Sequence, residues 1–194
     1  MNCYARIEKL LTGKTIFMNL YFRLLLLFWR IRQNKQIADS ILSPIDIEYR
    51  ALPSDCDINM HLTNSRYLAF MDLARTWMTE RVGLFAAVMK RRWFPIVNAT
   101  AITYIRDIKP LQKFTITTKV VGWDHKYFYI EQRFHSKRGL HAIAYVRGVF
   151  KRKGGVVTVE EMLEVTGFDG EAPILSPEIM HWKAMLEAKK NSNL

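Results

Sequence analysis

Apolar and polar positions divide the chain into an amino-terminal apolar stretch, a polar connector and a long region where helix and strand periods alternate. Thr15 to Ile31 reads T-I-F-M-N-L-Y-F-R-L-L-L-L-F-W-R-I. Wound as a helix, it places Asn19, Arg23, Arg30 and Asn34 on a narrow polar stripe. Phe17, Leu20, Tyr21, Leu24, Leu25, Phe28 and Ile31 cover a wide apolar face. Asn34 to Pro44 is polar and reads as a linker. Ile45–Leu52 predicts a strand closed by Pro53. From Tyr67 the apolar residues Tyr67, Phe70, Met71, Ala74, Trp77 and Met78 fall at the three-and-four spacing of a helical face, and Gly83 stops it. Leu84–Lys90 predicts a second, short helical piece. Strands follow at Phe94–Asn98, Thr100–Ile108, Phe114–Trp123, Tyr127–His135 and His141–Lys151. Phe114, Ile116, Thr118 and Val120 share one face of the third of these. Lys153-Gly154-Gly155 ends the last. Thr158-Val159-Glu160-Glu161 is a capping box opening a helix that stops at Gly167, and Ser176-Pro177 starts a final helix to about Lys190.

One long helix within a run of five or six antiparallel strands is an α+β arrangement. At 194 residues the chain is long enough for one domain with a real core. The expected division is an extension at 1–14, an amphipathic helix at 15–34, a linker at 35–44 and the folded domain at 45–194. Met18-Asn19-Leu20 also reads as a natural start, which would make residues 1–17 an upstream extension.

Charge changes the picture at the amino end. The formal net charge is +11, and residues 1–37 contain Arg6, Lys9, Lys14, Arg23, Arg30, Arg32 and Lys35 against Glu8 alone. A bilayer span needs about 20 predominantly apolar residues, whereas 15–31 is shorter and carries Arg23 at its middle. No small-residue cleavage site follows, so a secretory signal fits no better. Cations beside an apolar face point to an anionic membrane surface more than to nucleic acid, with Tyr21 and Trp29 suited to headgroup level. The expectation is a cytoplasmic protein, peripherally attached through residues 15–34. The alternative is a helix packed on its own domain or on a partner subunit.

The chemistry is concentrated in Asp55-Cys56-Asp57-Ile58-Asn59-Met60-His61-Leu62-Thr63-Asn64-Ser65-Arg66-Tyr67. Two carboxylates, an imidazole and two amides precede the long helix, where unpaired N–H groups and the positive end of the dipole favour a developing negative charge. A carboxylate beside such an oxyanion site suits acyl transfer. Equally, Thr63, Asn64 or Ser65 can be plain N-caps and His61 an ordinary loop hydrogen-bonder. Cys56 lies between two carboxylates that disfavour its thiolate, so it reads as a bystander. The two cysteines give neither a disulfide framework nor metal-ligand spacing, and no H-E-x-x-H, glycine-rich phosphate loop or G-x-S-x-G occurs. Neither metal nor nucleotide cofactor is expected. Lys90-Arg91-Arg92 is a candidate for CoA phosphates or an acidic carrier protein; a basic run is otherwise a solvated turn.

The order D-x-D-x-N-x-H-x-x-N-x-x-Y resembles the signature of hotdog-fold acyl thioesterases. Asp57-Ile58-Asn59-Met60-His61 resembles the D-x-N-x-H motif of plant acyl-carrier-protein thioesterases. The run from Asp55 to Ala74-Arg75 also resembles 4-hydroxybenzoyl-CoA-thioesterase-like enzymes, closest to the small membrane-associated branch typified by thioesterase superfamily member six. The resemblance implies a sheet wrapped around the long helix and hydrolysis of fatty acyl-CoA or acyl-carrier-protein thioesters. It also implies a homodimer or dimer of dimers with sites at the interface. It carries the catalytic carboxylate to Asp57, with Asn59 and His61 positioning carboxylate, water or thioester. Thr63 and Asn64 are then oxyanion candidates, and Asp55 a supporting hydrogen-bonder. The plant pattern adds a glutamate with no counterpart between Trp93 and Pro110. That departure leaves a non-catalytic acyl- or lipid-binding module as the rival.

Overall fold

A computed structural model describes residues 14–33, 38 and 40–192. The expectation for the first 13 residues, and most of that for 34–39, lies outside the described residues. The chain order is helix α1 (Lys14–Gln33), strand β1 (Ile45–Arg50), a 3-10 turn (Pro53–Asp55), α2 (Asn64–Arg81), α3 (Phe85–Lys90), β2 (Phe94–Tyr104), β3 (Lys113–Trp123), β4 (Phe128–Ser136), β5 (Gly139–Arg152), β6 (Gly155–Val157), α4 (Val159–Thr166) and α5 (Pro177–Asn191). All strand pairs are antiparallel, in the order β1-β3-β4-β5-β2, with β6 hydrogen-bonded to the end of β5.

The helical face read from the sequence is the buried one. Tyr67, Phe70, Met71, Ala74, Trp77 and Met78 are all buried, together with Leu73. They meet the inner face of the sheet, where β3 buries Phe114, Ile116, Thr118 and Val120 as its alternation predicts. Phe70 stands edge-on to Phe114 with ring centroids 5.2 Å apart, and Phe114 stacks on Phe134. On β5 the inner positions include Ala142 and Ala144, both fully buried, and these small side chains leave room for the helix. Each large buried side chain contributes roughly 1.5–3 kcal/mol at most. This two-layer contact is the main core.

Three expectations are revised. Phe94 to Tyr104 is one strand rather than two, with a register shift between Val97 and Ala99 that absorbs Asn98 as a bulge. Lys153-Gly154 is a turn into β6 rather than an end, because Gly154 supplies the positive φ that a tight return needs. Of the capping box, Thr158 accepts the Glu161 N–H as expected. Glu161's carboxylate is instead taken by a two-pronged pair with Arg152.

The amino-terminal helix departs most from its expected layout. Leu27 lies in the core, and Leu20, Leu24 and Ile31 pack against it. Arg23, expected on a solvated stripe, turns to the domain, where Asp55 and the Phe70 ring receive it. Tyr21, Phe22, Leu25, Leu26, Phe28 and Trp29 face outward. The residues assigned to one apolar face are thus split between the domain and solvent. Part of the expected linker joins the core too, since Ile41 is buried. Among the described residues no helix is long and apolar enough to cross a membrane.

On the opposite face of the sheet α5 buries Ile179 and Trp182 against Tyr129, flanked by Tyr127 and Tyr145, in a second, smaller core. The chain reaches α5 by passing over Gly122. A Cβ there would lie 2.5 Å from a Leu175 methyl and 3.1 Å from the Pro173 carbonyl, and φ is 153°, so glycine suits the crossing.

Candidate active site

The segment before α2 is a closed loop built on Asp55. Its carboxylate is buried, accepts the Leu52 N–H at 2.9 Å and the Arg23 guanidinium at 2.6 Å, and lies 3.6 Å from Arg66 Nε. Its carbonyl accepts the Thr63 N–H at 3.0 Å. Asp55 therefore serves as the loop's buried anchor. Cys56 and Leu62 bridge the neck, and the Leu62 N–H donates to the Ile108 carbonyl, docking the loop on the segment after β2.

Above that neck Asp57 is half-buried, its side chain 31% exposed. Its N–H donates to the His61 carbonyl and its carbonyl accepts the Met60 N–H, both at 3.0 Å. Met60 takes φ 59°, which turns the chain back. Asp57 Oδ1 accepts the Asn59 backbone N–H at 2.9 Å, and Oδ2 lies 3.3 Å from His61 Nδ1. The carboxylate thus faces open space with one oxygen fixed by backbone and the other beside an imidazole. Asn59 contributes its N–H rather than its amide, which is exposed.

Thr63 holds the cap position of α2, and its hydroxyl lies 3.0 Å from that of Ser65 rather than capping the helix. Asn64 and Ser65, both exposed, open the first turn, where helical N–H groups lack intrahelical acceptors. Asp57, Asn59 and His61 are brought together by local contacts, and Thr63 and Asn64 follow at the start of α2. Burial, then the charges of Asp55 and Asp57, push the Cys56 thiol upward, which disfavours its thiolate.

Lys90, Arg91 and Arg92 are not part of this cluster within one chain. They follow α3, beyond the far end of α2 from Asp57. An 18-residue helix is about 27 Å long. Arg91 lies over the Trp93 ring at 5.2 Å.

Sequence reading missed the cavity. An apolar chamber of about 190 Å³ lies between the second half of α2, the sheet and α4, and its lining reaches the surface at Asp72 and at Pro95, Ile96 and Val97 of β2. No residue of the 55–66 loop lines it. Its polar wall is Asp72 and Arg75, which pair with each other. Arg75 also donates to Gln132 Oε1 at 2.7 Å, and Gln132, fully buried, donates to Thr118 and to the Met71 carbonyl. Burial lowers the Arg75 pKa, opposed by Asp72. The signal available was Ala74-Arg75, which carried the resemblance but not this position. His141 was also missed. It is fully buried, with Nδ1 3.0 Å from the Asp107 carbonyl and Nε2 2.7 Å from the Ser136 hydroxyl. It ties down the segment on which the Asp57 loop docks.

An antiparallel sheet wrapped round one long helix is the hotdog architecture. Residues 51–182 match the family model of the thioesterase-like superfamily, and the chain belongs to that family of thioester hydrolases. It is 32% identical to Protein THEM6 of Danio rerio over 154 residues, 78% of this chain and 75% of that protein. It is 28% identical to a probable thioesterase of Saccharomyces cerevisiae over 62% of this chain and 54% of that one. Among solved structures it is similar to the probable thioesterase YbaW of Escherichia coli, with TM-score 0.58 and 21% identity, covering 62% of this chain and 95% of that one. A variant of 4-hydroxybenzoyl CoA thioesterase complexed with 4-hydroxybenzoyl CoA superposes with TM-score 0.57 and 18% identity, over 63% and 98% of the two chains. The fold is the hotdog fold.

Proposed function

We propose that this thioester hydrolase acts on fatty acyl-CoA, with Asp57 as its catalytic carboxylate and a homodimer as its working unit. The observation that carries this reading is the Asp57 carboxylate, half-exposed at the start of α2 and flanked by the Asn59 N–H and His61. Water adds to the thioester carbonyl and the C–S bond breaks, giving a carboxylate, a free thiol and a proton. Asp57 takes the proton from the attacking water, or itself attacks to form an anhydride that water then opens. The N–H groups of Asn64 and Ser65 receive the negative charge on the former carbonyl oxygen, and His61 keeps the carboxylate aimed.

The dimer follows from what one chain lacks. β2 is an edge strand with Phe94, Ile96, Val97 and Tyr104 exposed, a row of open backbone groups suited to pairing. Two β2 strands paired antiparallel about a two-fold axis set the Phe94 end of one against the Tyr104 end of the other. The Phe94 end bears the cavity mouth and Lys90-Arg91-Arg92. The Tyr104 end leads to the segment that holds the Asp57 loop. One protomer then supplies the carboxylate, and its partner the acyl chamber and the cations for CoA phosphates.

The test is thiol release from a panel of acyl-CoAs by wild type and Asp57→Ala. Removal of a general base lowers kcat by about 10²–10⁴-fold, and a half-exposed carboxylate should leave the melting temperature unchanged. Equal rates, or acyl-CoA retained with no thiol released, would overturn the proposal in favour of a binding module.

A further inference from the structure

A second concavity lies between α1 and β1. It encloses about 330 Å³. Its apolar surface comes from Phe22, Leu26 and Leu27 of α1 facing Ile47 and Tyr49 of β1. Its polar lining is Arg23, Arg30, Arg50 and Lys113, against the single carboxylate Glu48. Three of these cations are engaged: Arg23 with Asp55, Arg50 with the Leu111 carbonyl at 3.0 Å, and Lys113 with Glu48 at 2.9 Å. Arg30 is exposed and makes no hydrogen bond or close salt bridge among the described residues, though its charge is felt by Glu48 and Tyr49. The Tyr49 hydroxyl is buried in the lining with no hydrogen-bond partner among the described residues. A buried hydroxyl left without a partner calls for an explanation. Here it is a donor held ready at the base of a cationic groove.

The groove's outer lip decides what fits. Tyr21, Phe22, Leu25 and Trp29 of α1 are 58–67% exposed, forming an apolar strip beside Arg30 and Arg32. A free anion would use the cations and leave the strip in water. An acidic peptide would do the same. A phospholipid in a membrane surface uses both, because its headgroup and chains present charge and hydrocarbon at neighbouring depths.

We propose that the groove between α1 and β1 binds the phosphate-bearing headgroup of an anionic phospholipid, seating this face of the domain on a membrane. The phosphate lies between Arg30 and the Arg50–Lys113 side, the Tyr49 hydroxyl donates to a headgroup oxygen, and Phe22 and Leu26 line the chains. The proposal does not rest on the thioesterase reading: the headgroup contacts are on α1, β1 and β3, and the one link to the Asp57 loop is the Arg23–Asp55 pair, which no variant in its test touches.

The experiment is flotation of the full chain with vesicles of phosphatidylcholine alone or mixed with phosphatidylserine. The mixed vesicles should bind about tenfold more tightly, and Arg30→Glu should weaken that binding about tenfold, since attraction to an anionic surface changes severalfold per charge. Tyr49→Phe, which keeps charge and shape, should weaken it about threefold through the lost hydrogen bond. Lys137→Glu, the same charge change on the β4–β5 turn, should leave it within about twofold. Melting curves establish that each variant is folded, and a variant that fails to fold is replaced by Arg30→Gln. Equal binding to both vesicles, or equal damage from Lys137→Glu, would replace the site with general attraction and overturn the proposal. So would displacement by millimolar inorganic phosphate, which would make the groove a free-anion site.

Discussion

Arg23 Nη2 lies 2.6 Å from Asp55 Oδ2, and the same guanidinium sits 4.7 Å over the Phe70 ring. Both ionic side chains are withdrawn from water, 12% and 2% exposed. The pair binds the amino-terminal helix to the anchor of the Asp57 loop. Removing one member of such a pair strands the other, at roughly 3–5 kcal/mol. Asp55→Asn and Arg23→Met should each shift the denaturant midpoint by that order, and the double variant by less than the sum. Additive losses would show that the two do not act on each other.

A chain beginning at Asn34 tests the same contact more severely. Read from sequence, the helix at 15–34 is separable. Yet Leu27 is buried in the core and Leu20, Leu24 and Ile31 cover it. The truncated domain should melt at lower temperature and bind a hydrophobic dye, since burying Leu27 alone contributes about 1.5–3 kcal/mol. A truncated form that melts like the full chain would make α1 an appendage.

The contrast between α2 and α1 marks how far the sequence could be read. The α2 face was legible because its apolar residues follow one helical period and a single surface, the sheet, receives them. On α1, apolar residues nearly encircle the helix, so periodicity could not say which side the domain takes; Arg23 finds its carboxylate 32 residues away. The Asp57 cluster was legible because it is local, closed by bonds among residues 55–63. The cavity was not, because it is assembled from α2, four strands and α4. The bulge at Asn98 escaped for a similar reason: a polar residue inside an apolar run reads as a break unless the partner strand is known.

His141 should give stability a pH dependence. Burial, the largest cause, lowers its pKa below the usual 6.5, with the Arg106 and Asp107 carbonyls opposing. Those carbonyls can only accept, so Nδ1 carries the proton, and Nε2 accepts from Ser136. The folded state therefore takes up a proton less readily than the unfolded chain. Stability is fully present above about pH 6.5, the unfolded value, and falls as pH drops below it, by at most about 1.4 kcal/mol per pH unit. Denaturant midpoints of wild type should decline from pH 7.5 to 5.5 more steeply than those of His141→Asn. Parallel profiles would remove His141 as the cause.

If the chamber receives the acyl group, its size sets the chain length. At about 190 Å³ it is small beside the roughly 300–1,000 Å³ pockets that take drug-sized ligands, which disfavours long acyl chains. Medium-chain acyl-CoAs should give the highest kcat/KM. Thr79→Phe, which fills the wall, should shift the optimum two or more carbons shorter by about tenfold in kcat/KM, given about 0.8 kcal/mol per methylene excluded. An unchanged chain-length profile would place the acyl group elsewhere.

Charge at the β2 edge should separate the protomers. Val97 is 44% exposed beside the cavity mouth. Val97→Lys should yield monomers in sedimentation velocity and, if the site is shared, lower kcat/KM by at least about 10²-fold, the scale of losing a positioned carboxylate. A fully active monomer would confine the site to one chain.

The sheet buries side chains on both faces, α2 on one and α5 on the other. The two cores share backbone but little else, and among the described residues the outer one has three buried members, Tyr129, Ile179 and Trp182, with partly buried neighbours around them. Local opening follows the weaker set of contacts. The carboxyl-terminal helix can therefore peel away while the core under α2 stays closed. Its amides will trade their protons for deuterons well before those of Met71 or Ile116, so one small domain opens on two separate clocks.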